Sequence, residues 1–229
     1  AGPAAGGTAN SAAIRSEFTY DQAPYPQCHA STIVETTGGV MAAAWFGGTH
    51  EKHPDVCIWF ARFENGAWTE GVQVADGVQA DGTRHPTWNP VLFQAPQGDL
   101  ILFYKVGPDP FSWWGMVMTS PDGGRTWSSP RRLPEGVLGP IKNKPVVLGD
   151  GTWLSPASTE AGEGMGSAAG ANWRLHFQIS TDQGRHWTLT DPVASPLNID
   201  AIQPSVLLHP NGALQAVARA RQGALASSW

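Results

Sequence analysis

The phrase Ser-x-Asp-x-Gly-x-x-Trp occurs twice, as SPDGGRTW at Ser120–Trp127 and as STDQGRHW at Ser180–Trp187. A phrase written twice in one chain means a repeated structural unit, and the size of the unit limits what it can build. A second pattern has a similar period. STIVETTGGVMAAAWF, NPVLFQAPQGDLILFYKV, KPVVLGDGTWLSPAS and QPSVLLHPNGALQAVARA each read as a short apolar strand, a Gly-containing turn and a second alternating strand. Their turn glycines, Gly39, Gly98, Gly151 and Gly212, are 59, 53 and 61 residues apart. Further strands lie between the hairpins: CIWFARF, GMVMTS and WRLHFQIS. The last two run straight into the quoted phrases, and a worn copy, FENGAW, follows the first with only Gly66 and Trp68 in matching places.

Each unit therefore has about four antiparallel strands, with the Ser-x-Asp phrase as the turn between the third and fourth. In that turn the Asp can accept backbone N–H bonds and the Gly can take positive φ. The Trp is expected to pack back across the next strand. Four-stranded units with a period in the fifties describe a β-propeller, with a β-sandwich as the competing architecture. Composition agrees: with 14% charged residues, 27 Gly and 19 Pro, the chain favours short strands and turns over long surface helices. A net charge of −5 and the lack of a Lys/Arg run argue against nucleic acid as a partner. No apolar run is long enough to span a bilayer. The segment AGPAAGGTANSAA suggests a flexible lead over residues 1–20 ahead of a domain over 21–229. Two cysteines exclude a disulfide framework. Cys28 opens a first strand and Cys57 a third, so an intervening strand puts them beyond ordinary disulfide reach.

The Ser-x-Asp-x-Gly-x-x-Trp phrase resembles the Asp-box of sialidases, and the chain from about Tyr25 onward is similar to that superfamily. CHASTIVETTGGVMAAAWFGGT, WNPVLF and GPIKNKP look most like its bacterial branch of predicted neuraminidases with BNR repeats. The resemblance implies an all-β, sialidase-like propeller with six blades in a full protein. About four are represented here, so the chain reads as a fragment, or as one whose other blades come from elsewhere. It also implies an exported protein, secreted or periplasmic, working as a monomer.

Propeller geometry turns the repeat into a map. The first strand of each unit lies nearest the axis, and its start shares a face with the loop from the second strand to the third. The Asp-box turns occupy the opposite face. The first-strand starts QCHAS, TWNPV, IKNKP and AIQPS aim His29, Asn89, Asn143 or Lys144, and Gln203 at one mouth. Loops over that face bring Glu51 and Asp55 with His50 and His53, then Tyr104, Lys105, Trp113 and Trp114. They also bring Glu160 and Glu163 on a Gly-rich loop, and Arg219 and Arg221. Cations and paired aromatics beside acids suit a sugar bearing a carboxylate, because Arg clamps the anion while Trp stacks on the ring. Strand alternation predicts that one of Lys142 and Lys144 faces the mouth and the other does not. His50 and His53 lack the HExxH spacing, so neither a metal nor another cofactor is expected.

The sialidase resemblance implies three arginines on a carboxylate, a Tyr nucleophile helped by a Glu, and an Asp acid/base. Here His29 stands in for the first arginine and Gln203 for the Glu. Arg219 matches the second arginine, with Arg221 as fallback. The acid/base falls to Glu51 or Asp55, and the Tyr and third arginine would lie beyond Trp229. The expected activity is exo-acting hydrolysis of terminal acidic sugars of glycans or polysaccharides, with Glu51, Asp55 and His29 catalytic. Asn89, Lys142, Asn143, Lys144, Gln203, Arg219, Arg221, Trp113 and Trp114 would hold the substrate. The alternatives are a non-catalytic glycan-binding propeller using Trp113, Trp114 and Arg219, and a uronic-acid lyase with His29 as base.

Overall fold

The computed structural model describes residues 16–162, 171–194 and 199–229. Among these there is no helix, and sixteen strands form four antiparallel sheets. Blade 1 contains β1 (Gln27–Glu35), β2 (Met41–Gly48), β3 (Cys57–Glu64), β4 (Ala67–Trp68) and β5 (Val72–Ala75), the last two both pairing β3. Blade 2 is β6 (Thr87–Gln94), β7 (Leu100–Val106), β8 (Trp114–Ser120) and β9 (Arg131–Arg132). Blade 3 is β10 (Val146–Val147), β11 (Trp153–Gly162), β12 (Ala171–Ser180) and β13 (Thr188–Leu189). Blade 4 contributes β14 (Ala201–Leu208), β15 (Leu214–Ala220) and β16 (Leu225–Ser228). This is the propeller arrangement that the repeat implies.

Second strands show why the blades stack. β2 reads MAAAWFGG and β7 reads LILFYKV, and nearly every residue of both is buried. A strand covered on both faces needs no alternation, which is why these runs are almost continuously apolar, Lys105 excepted. One core, including Phe46, Ile58, Phe60, Leu92, Leu102 and Tyr104, fills the gap between blades 1 and 2. Another, with Val91, Phe93, Phe103, Leu133 and Trp153, lies between blades 2 and 3. Ahead of blade 1, Tyr20 lies against Trp45 at 5.2 Å, and the Trp45 indole donates a hydrogen bond to the Tyr25 hydroxyl.

Both Asp-box turns are hydrogen-bonded alike. Asp122 Oδ1 accepts the amides of Arg125 (3.0 Å) and Thr126 (2.8 Å) and the Ser120 hydroxyl (2.8 Å). Its Oδ2 accepts the Thr126 hydroxyl at 2.6 Å. Ser120 Oγ accepts the Gly124 amide at 2.7 Å, and Ser180 does the same for Gly184. The bonds from Thr126 hold the Asp122 carboxyl well below its ordinary range, and those from His186 do so for Asp182.

The tryptophans do not pack where the repeat alone suggested. Trp127 meets Phe60 of blade 1 edge-to-face at 5.3 Å, and Trp187 meets Phe103 of blade 2 at 6.3 Å. Each indole reaches back to the preceding blade instead of across its own next strand. The cause is local: a Cβ at Gly124 would fall 2.2 Å from the Phe60 ring, so that glycine lets Phe60 slide under the turn. The phrase fastens one blade to another.

Candidate functional site

The first strands are broken at one equivalent point in three blades. Register slips between His29 and Thr32, between Trp88 and Val91, and between Ile202 and Ser205. Within those bulges Ala30, Asn89 and Gln203 have φ of 56°, 38° and 57°. Left-handed backbone in a non-glycine residue costs on the order of 1 kcal/mol, so a threefold recurrence marks a constrained rim. Ala30, not His29, is thus the structural counterpart of Asn89 and Gln203.

Blade 3 starts differently. Residues 141–145 form no strand, and β10 begins only at Val146. Alternation therefore does not govern the two lysines, and both turn to blade 1: Lys142 Nζ to Ser31 O (3.5 Å) and Lys144 Nζ to Thr32 Oγ1 (3.4 Å). The two thus turn the same way, where alternation along a strand would send them to opposite sides. Between them Asn143 turns the other way, donating from Nδ2 to the Gln203 and Pro204 carbonyls at 3.1 Å each. The Gln203 amide bonds Ser158 Oγ at 3.2 Å, and the Leu92 amide bonds Thr32 Oγ1 at 3.3 Å. Side chains and backbone of four blades therefore meet around one axis.

Lys142 and Lys144 are half-buried, and among the described residues no carboxylate lies within 4.0 Å of either. Burial pushes both pKa values down, and Lys142 lowers Lys144 further by like-charge repulsion. Next to them Lys105 is fully buried, and its ammonium donates to the Pro140 and Ile141 carbonyls, immediately ahead of Lys142.

On the blade 1 side, His29 Nδ1 lies 3.7 Å from Glu51 Oε2, both exposed, at a cleft walled by Phe46, Gly48 and Val56. Asp55 has a different occupation. It accepts the Thr49 amide (3.0 Å) and hydroxyl (2.6 Å) and faces His53 Nδ1 at 2.8 Å. Burial alone would raise its carboxyl, but the Thr49 bonds and His53 bring it down to about 2. Such a group braces a loop and has no proton to give near neutrality.

Blades 3 and 4 hold a second cluster that the sequence only hinted at. Glu160 lies within β11, opposite Trp173 in the β11–β12 ladder, and not on a free loop. Burial raises its carboxyl, against the opposing pull of Arg219, a hydrogen bond from Trp173, Arg221 and Lys52. Lys52, on the blade 1 loop, is near enough to add to that pull. Arg219 and Arg221 stack over the Trp173 ring at 5.3 and 4.4 Å. Asp200 anchors the cluster through Arg174 (3.0 Å) and Arg221 (3.8 Å). Glu163 lies outside the described residues.

Trp113 and Trp114 differ in role. Trp114 is half-buried, with the Arg132 guanidinium over its ring at 4.8 Å and the edge of His85 at 5.6 Å. Trp113 rests on buried Trp88 at 5.8 Å and lines a groove of 270 Å³ that Glu160 lines as well. Register also settles the cysteines: Cys28 pairs Gly47, Gly47 pairs Cys57, and both thiols are free.

Among solved structures the chain resembles the NanB sialidase of Streptococcus pneumoniae, with TM-score 0.67 and 11% identity over 92% of this chain and 51% of that one. It also resembles a protein of unknown function from Dyadobacter fermentans (0.65, 18%, covering 88% and 65%). The GH93 α-L-arabinofuranosidase of Fusarium graminearum, solved with arabinobiose, matches at 0.60 and 19%, covering 85% and 57%. The chain thus spans 51% to 65% of the length of these structures. No curated protein matches it in sequence. The family model described as a BNR repeat-like domain matches residues 39–229. With most of its length so matched, on a β-propeller fold that it shares with sialidases, the chain belongs to the BNR repeat-like domain family.

Proposed function

We propose that this propeller carries the catalytic centre of a glycoside hydrolase that removes a terminal acidic sugar from a glycan or polysaccharide. One observation carries the reading: Lys142 and Lys144 stand together at the axis with no carboxylate against them among the described residues. Two half-buried like charges repel. A substrate carboxylate between them would relieve that cost.

Glu160 is the general acid. Its raised pKa favours the protonated form, and a general acid must hold its proton until the bond breaks. It gives that proton to the glycosidic oxygen, which departs with the electron pair of the breaking C–O bond. Glu51 accepts a proton from the water that adds to the anomeric carbon, with His29 Nδ1 3.7 Å from its carboxylate. Asp55 holds the loop that presents Glu51.

The test is release of the terminal sugar from oligosaccharides ending in uronic or sialic acids. Glu160→Gln and Glu51→Gln are each expected to lower kcat by about 10²- to 10⁴-fold while ligand binding persists. Wild-type rates in both variants would overturn the assignment. Gln203, which cannot ionise, favours a second reading: a glycan-binding propeller, seen as saturable binding of the same saccharides with no product.

A further inference from the structure

We infer that the groove between blades 2 and 3 seats the sugar on the leaving-group side of the scissile bond, so that the substrate is a glycan chain and not a small glycoside. The inference rests on the hydrolase reading above and deepens it. A general acid must stand between the sugar that is cut off and the group that departs, because it protonates the oxygen joining them. Glu160 is the carboxylate with both addresses. Across the strand pair it faces Trp173, over whose ring Arg219 and Arg221 lie, and it is also among the residues that line the groove.

The groove is built for a ring with one apolar face. Phe111 and Trp113 form one wall, with Arg132 and Thr159 among its polar groups. The C–H face of a pyranose covers such aromatic surface, while its hydroxyls need donors and acceptors at the edges. Trp114 is excluded as the platform because Arg132 already lies over its ring.

The wall is also prearranged. Asp109 accepts the amide of Phe111 and the hydroxyl of Ser112 at Oδ1, both at 2.9 Å. The Asp109 carbonyl accepts the Trp113 amide at 3.0 Å. Trp88, wholly inside, donates from Nε1 to the Gly107 carbonyl at 2.8 Å and packs its ring against Trp113. A loop fixed at both ends loses little entropy when a ligand settles on it.

The experiment compares kcat/KM for a trisaccharide and for the methyl glycoside of the same terminal acidic sugar. Trp113→Ala and Phe111→Ala should each lower the trisaccharide value about 10- to 100-fold and leave the methyl glycoside unchanged. Phe111 is exposed, so its variant keeps the test valid if loss of Trp113 disturbs folding. Equal losses on both substrates, or none on either, would overturn the groove. If neither compound is hydrolysed, the hydrolase reading falls, and equilibrium binding of the same two compounds decides the groove. Preference for the trisaccharide that both variants abolish would retain it; equal or absent binding would overturn it.

Discussion

Glu160 and Asp55 are two carboxylates on one face whose surroundings drive them in opposite directions. Burial raises the first, and Thr49 with His53 draws the second to about 2. The roles part accordingly. Asp55→Asn should keep a substantial share of activity while loosening residues 49–55, whereas Glu160→Gln should remove turnover. In a pH profile of kcat the limb assigned to Glu160 must fall as pH rises, since only its protonated form can donate. Chemical denaturation and initial rates on the same two variants check both statements. Sequence placed Glu51 and Asp55 together but held no means of choosing, because the Thr49 bonds that occupy Asp55 appear only once the loop is folded. Glu160 was visible only as a member of a Gly-rich stretch, since nothing in STEAGEGMG announces that β11 runs through it to Gly162.

At the scale of elements, the Asp-box turn shows how a short phrase can be legible in chemistry and misleading in direction. Its Ser, Asp and Gly make the bonds expected of them. The Trp instead crosses to the preceding blade, a contact that depends on Phe60 and Phe103, which lie far from it in sequence. Trp127→Ala should therefore cost about 3–5 kcal/mol in urea denaturation, the range for a large aromatic lost from a packed site. Gly124→Ala should be comparably harmful, because φ there is +91° and the new Cβ would meet Phe60. Lys142 and Lys144 teach the converse. Alternation is a property of strands, and residues 141–145 are not one, so two lysines at i and i+2 share a direction.

The whole molecule was readable from periodicity: hairpins 59, 53 and 61 residues apart specify stacked blades before any contact is known. Periodicity could not reveal what crosses the axis, because those contacts join side chains from unlike segments. Lys105 is one such case, a cation from blade 2 enclosed beneath the start of blade 3 with two carbonyls as partners. Burial lowers its pKa from the usual 10.5 to about 7. The unfolded chain keeps the proton up to 10.5, the folded one releases it near 7, so unfolding takes up a proton in that window. The Lys105 contribution to stability must then rise as pH increases from 7 to 10.5 and be flat below 7. Urea midpoints measured across that range should show a rise in wild type that Lys105→Met lacks.

The most direct measurement is calorimetric titration of the protein with a uronic-acid-terminated disaccharide and with its neutral methyl ester, each repeated on the Lys142→Ala/Lys144→Ala double variant. Each half-buried charge-assisted hydrogen bond is worth roughly 1.5–3 kcal/mol. The acid should therefore bind at least about 100-fold more weakly to the double variant than to wild type, while the ester binds both alike. Equal affinity of wild type for acid and ester, or an unchanged affinity of the double variant for the acid, would contradict the account of the axial mouth as a seat for a sugar carboxylate.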